Sequence, residues 1–187
     1  MDEFGYLSVL LSIIIGLAMT EILQGLRRAM LSHATIKRYW PTRVWAVTIL
    51  LVCTQTWWAM FDLRHRHDWE FDQFLVLLVQ TILLYLAAGL VFPEFERGED
   101  VDLREHYFRQ RKRFFALLIV MVVTSVGRDW VFNHSLPDRD NLIFHCIYFV
   151  SAAIALLTAR EWYHKFTAVL VAAVFSFYII MLFARLH

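Results

Sequence analysis

The stretch "GLAMTEILQGL", residues 16–26, places a carboxylate, Glu21, inside an apolar run long enough to cross a bilayer. An ionised carboxylate in hydrocarbon is costly unless it is paired, hydrated or protonated. Three arrangements would satisfy it. It could be neutral and hydrogen-bonded to Gln24, or to Thr48 or Gln55 of the next run. It could pair with Arg28, two helical turns further on. Or it could line a watery cavity and bind a proton or a cation, with Thr20, Gln24 and Gln55 supplying further oxygens.

Other polar residues interrupt the apolar runs. Ser8, Ser12, Gly16, Thr20 and Gln24 recur every four residues, so on a helix they form a slowly winding ridge of small and polar groups. Ridges of this kind let a second helix approach closely, either within one chain or between copies. Gln55, Gln80, Thr81, Thr124, Ser125, His145 and Ser151 put polar atoms into the remaining runs. Together they could enclose a polar seam; singly, each serves as one interhelical hydrogen bond.

The connection "FDLRHRHDWEFDQF" gathers Asp62, His65, His67, Asp68, Glu70 and Asp72. Imidazole and carboxylate suit zinc or another divalent cation. In an extended segment, His65 and His67 point to one side. A later connection on the same expected face adds Asp129, His134, Asp138 and Asp140. A metal site of His65, His67, Asp68 and Asp129 would make the chain a metal-dependent enzyme acting on a lipid or envelope substrate. The alternative is a solvated polar loop. A b-type haem needs two facing histidines at similar depth, and His145 is the one histidine clearly inside a run, so haem is not expected. Cys53 and Cys146 both lie within apolar runs and read as small apolar residues rather than a redox pair. The sequence contains no nucleotide-binding loop and no Ser/His/Asp pattern.

What must position these groups is a set of membrane helices. The 187 residues are 59% hydrophobic and 19% charged, with mean hydropathy +0.53. The charges fall in blocks between six long apolar runs, approximately 6–26, 43–62, 71–92, 114–132, 141–159 and 163–185. Each is long enough to span roughly 30 Å of hydrocarbon as a helix, the form that satisfies its own backbone there. The expected fold is therefore all-α, a polytopic bundle of six spans forming one membrane domain over 1–187. The start, "MDEFGYLSVLLS", lacks a positive n-region, so it reads as a retained span rather than a secretory signal.

Of the 18 Lys and Arg residues, 13 fall in the odd-numbered connections. Cytoplasmic loops carry the positive excess, so these connections are expected inside and both termini outside. All seven tryptophans lie near span ends, as an interfacial belt requires. The third connection turns from acidic to basic, and residues 103–115 read as an amphipathic helix entering the fourth span. Contact of its Arg and Lys side chains with anionic lipid is the first reading, and docking of a cytoplasmic partner is the second. No basic surface of the kind nucleic acid needs is present.

The opening "YLSVLLSIIIGLAMTEILQGL", followed by "RR" and "RYWP", resembles the start of small polytopic inner-membrane proteins of bacteria that carry no assigned activity. The resemblance covers mainly residues 6–46. It implies a six-helix architecture in a bacterial cytoplasmic membrane and transfers no catalytic residue. The expected function is that of a channel- or transporter-like unit or an oligomeric membrane component. Glu21 and the Ser8–Gln24 ridge would then sit at its functional or assembly interface, most simply between identical copies.

Overall fold

A computed structural model describes residues 3–31, 36–66, 69–95 and 100–185. Six helices dominate it: α1 (Glu3–Leu31), α2 (Trp40–Met60), α3 (Phe71–Gly89), α4 (Leu103–Asn133), α5 (Arg139–Leu157) and α6 (Glu161–Arg185). Each has a stretch long and apolar enough to cross a membrane. The chain is an integral membrane helical bundle, as its hydropathy requires. Successive helices run antiparallel, which leaves two ends. One carries the 3-10 turn Phe61–His65 and the short α4–α5 connection, and is called the hairpin end. The other carries β1 (Ile36–Lys37) and β2 (Val101–Asp102), and is called the strand end.

The helices start and stop where local chemistry dictates. Pro41 stands in the first turn of α2, where its missing N–H is not needed. Asp102 caps α4: its Oδ1 accepts from the backbone N–H of Arg104 (2.9 Å) and Glu105 (3.0 Å). The cap explains why α4 begins eleven residues before its apolar run. The polar turns from Leu103 onward are helical because their first donors are satisfied and the rest of the ladder follows. At the far end of α4, His134 adopts a left-handed conformation (φ 50°), and its N–H closes on Trp130 O at 2.8 Å.

Helices α2 to α6 form a ring in which α3 meets α4, α4 meets α5, α5 meets α6, and α6 returns to α2. Helix α1 lies outside that ring against α2 and α3. Its packed face is Leu11, Ile15, Ala18, Ile22 and Gly25, all buried. Gly25 is required by close approach: a Cβ there would overlap the side chain of Phe92. The strand end is closed by a parallel two-residue pairing, Ile36 with Val101 and Lys37 with Asp102. Arg104 donates through two nitrogens to one Glu161 oxygen (3.0 and 2.7 Å), and Lys165 reaches the other at 2.9 Å. These contacts tie the start of α4 to the start of α6.

Candidate functional site

The ring encloses a cavity of about 600 Å³. On α4 its lining runs from Phe115 to Asn133, about 27 Å at 1.5 Å per residue. That is most of a bilayer's hydrocarbon thickness. The cavity reaches the hairpin end, where Asp62, Arg66, Arg128, Asp129, Asn133 and Asn141 surround it. Its inner end is stopped by Trp45 and Phe115, whose rings meet edge-on with centroids 5.7 Å apart.

Behind that floor lies a buried histidine. The Nε2–H of His164 donates to Thr158 O (2.9 Å), a carbonyl that can only accept. Its Nδ1 is then the acceptor for the Tyr107 hydroxyl at 3.1 Å. His164 also packs on Phe115, with centroids 5.5 Å apart. Together they make a satisfied, fully packed knot that blocks the strand end of the ring. Tyr39, which precedes α2, has its phenol pushed up to about 12, mainly by burial and next by the Glu161 carboxylate.

Along the walls the polar groups come from every helix of the ring. Ser125 of α4 donates to His145 Nε2 of α5 (3.0 Å), and His145 Nδ1–H donates to Asn141 O (2.6 Å). This is the geometry of a hydroxyl beside an oriented base. The orienting group is a carbonyl rather than a carboxylate, and Ser125 sits in mid-helix, where neighbouring backbone N–H groups are already bonded. Thr48, Thr81 and Ser151 bond back to carbonyls of their own helices at 2.8, 2.9 and 3.0 Å. The hydroxyls of Tyr148 and Thr167 are buried with no hydrogen-bond partner among the described residues. At the mouth, Arg128 pairs with Asp129 (3.0 Å), while Arg66 donates to Phe132 O (3.3 Å) and lies over the Phe132 ring.

The structure distributes the residues singled out from sequence unevenly. Six of the seven in-span polar residues line this one cavity: Gln55, Gln80, Thr81, Ser125, His145 and Ser151. Thr124 does not. Gln55 faces the cavity and Glu21 does not: Glu21 is exposed on α1, which contributes no lining residue. Gln24 instead accepts from Arg28 at 3.3 Å.

The ridge lies off the packed face of α1. Gly16 and Thr20 are exposed, and Ser8 and Ser12 are half-buried. Ser8 and Thr20 bond back to Gly5 O and Gly16 O. Within the chain the expected packing ridge is therefore displaced by the apolar stripe Leu11–Gly25, which interlocks better with α2 and α3.

Of the expected metal ligands, the His65 side chain, His67 and Asp68 lie outside the described residues. Asp129 is held by Arg128. Among the described residues no three His, Cys, Asp or Glu gather as a metal site would require. The sequence reading had Asp129 as a metal ligand and missed its pairing with Arg128, and it missed the hydroxyls of Tyr148 and Thr167. Their only sequence signal was polar atoms at membrane depth. Comparison with family models, curated proteins and solved structures finds no match for this chain.

Proposed function

We propose that the chain is a channel- or transporter-type membrane protein that takes a small solute into the cavity among α2 to α6. The observation that carries this reading is the convergence of polar side chains from five spans on one cavity that runs most of the membrane's depth. Isolated interhelical hydrogen bonds would not need to share a face. A cavity stopped at one end and charged at the other suits one-sided access. We place it in a bacterial cytoplasmic membrane, as the resemblance of residues 6–46 implies. Contact between copies falls to the exposed side of α1, where Gly16, Thr20 and Glu21 lie away from the chain's own core. Native mass spectrometry reads that contact directly, and a purely monomeric particle removes it.

Substituted-cysteine labelling tests the cavity itself. With Cys53 and Cys146 replaced by alanine, Gln55→Cys and Gln80→Cys are expected to react with a membrane-impermeant thiol reagent in proteoliposomes. Val79→Cys, on the exposed outer face of α3, is expected not to react. Protection at both 55 and 80 would mean that water does not enter, and the reading would fall.

A further inference from the structure

The lining is segregated by charge. Its Asp and Arg residues are Asp62, Arg66, Arg128 and Asp129, all at the hairpin end. Deeper in, the hydrogen-bonding groups include the hydroxyls and amides of Thr48, Gln55, Gln80, Tyr148, Ser151 and Thr167, none of them ionised at neutral pH, and the imidazole of His145, whose two nitrogens are taken up by Ser125 and by Asn141 O. An ion carried to that depth would lose its hydration with no opposite charge to replace it. The apolar part of the wall is aromatic on several sides, with Trp45, Phe115, Phe144, Tyr148, Phe175 and Tyr178. Such faces favour flat partners, by offset stacking or edge contact. Two hydroxyls, on Tyr148 and Thr167, are buried without a partner among the described residues, and each can donate one hydrogen bond. A volume near 600 Å³ is in the range of sites for small organic ligands.

We propose, resting on the solute-cavity reading above, that the site binds an uncharged planar ring with a hydrogen-bond-accepting edge. The ring lies among the aromatic walls, and its accepting atoms take the hydroxyls of Tyr148 and Thr167. A quinone head arriving from the lipid and a nucleobase arriving from water share this chemistry. The charged mouth is a sieve: its Arg128–Asp129 pair is internally neutralised, so it offers no net charge to hold an ion.

The test uses the full-length protein in detergent micelles and three probes with one ring system: 2-naphthamide (neutral), 2-naphthoate (anionic) and 2-naphthylmethylammonium (cationic). Menadione and adenine separate the two sources. Binding is read by calorimetric titration and by the rise in melting temperature. The neutral amide is expected to bind most tightly of the three. Tyr148→Phe and Thr167→Val are each expected to weaken it about 2- to 12-fold, the loss of one neutral hydrogen bond, while the ligand-free melting temperature is held. Menadione binding above adenine assigns the lipid-borne source, and the reverse assigns the water-borne one. Tighter binding of either charged probe would overturn the neutral-ring reading and leave the cavity reading standing. So would the absence of binding by every neutral probe, or neutral binding indifferent to both variants. Failure of cysteine labelling at 55 and 80 would remove the cavity reading, and this one with it.

Discussion

At the scale of single residues, the most constrained side chain is His164. It is fully buried and bonded at both nitrogens, so its role is to join the start of α4 to the α5–α6 connection. His164→Phe would keep the ring's bulk and leave the Tyr107 hydroxyl and Thr158 carbonyl unsatisfied. A buried orphan group costs about 1–3 kcal/mol. The expected result is a clear drop in detergent melting temperature for His164→Phe. Tyr107→Phe should behave similarly, and the double variant should lose less than the sum. Additive losses would mean that the two do not act as one unit. The sequence showed His164 only as a histidine at a span end, because nothing local marks which face of a helix meets Tyr107, 57 residues away. Glu21 illustrates the converse. A carboxylate in an apolar run is conspicuous in sequence, yet whether its side of the helix meets the bundle depends on packing against α2 and α3 that its own run does not encode.

At the scale of elements, the spans were legible because length and hydropathy alone decide them. Their ends were less so. The fourth apolar run was expected from 114 with an amphipathic helix over 103–115 leading into it, and the two form one helix from 103 because Asp102 caps it and the polar turns then continue the ladder. The carboxyl of Asp102 is held below the ordinary carboxylate range, first by the Glu105 N–H, with desolvation opposing it, and then by the Arg104 N–H and Lys37. A depressed folded-state pKa contributes stability that is present above the unfolded value and lost as pH falls through the folded one. The window is therefore at and below the usual carboxylate pKa of about 3.9, and near-neutral pH leaves the cap intact. Asp102→Ala should cost about 0.5–2 kcal/mol at pH 7. Asp102→Asn should retain most of the cap while losing that acid sensitivity. Equal melting temperatures for alanine and wild type would show that the β1–β2 pairing, not the cap, holds this corner. The ridge on α1, read as a packing face within the chain or between copies, lies off the chain's own buried stripe for a related reason. When all faces of a helix are apolar, small-residue spacing marks where a helix can approach, and the buried stripe is chosen by shape against α2 and α3.

At the scale of the whole molecule, the polar seam was partly legible: the polar residues read at membrane depth in the second to fifth spans have a lower cost when gathered than when scattered, and Thr167 of α6 joins them only in the structure. That they gather on one cavity whose charged mouth lies at the hairpin end was not, since it depends on which helices adjoin. Charge then gives the expected side for the cavity mouth. The strand end receives the connections that hold 13 of the 18 Lys and Arg residues, including the Arg104–Lys165 corner. By the positive-inside rule this end is expected in the cytoplasm and the cavity mouth outside. The Trp45–Phe115 floor and the His164 knot then stand between the solute and the cell interior. In spheroplasts of the cysteine-free protein, Leu136→Cys, exposed in the α4–α5 connection, should react with an impermeant reagent added outside. Arg109→Cys, exposed on the first turns of α4, should react only after the membrane is opened. The reverse pattern would turn the mouth toward the cytoplasm. The same floor would then separate the solute from the exterior, and release rather than uptake would have to pass the aromatic rings last.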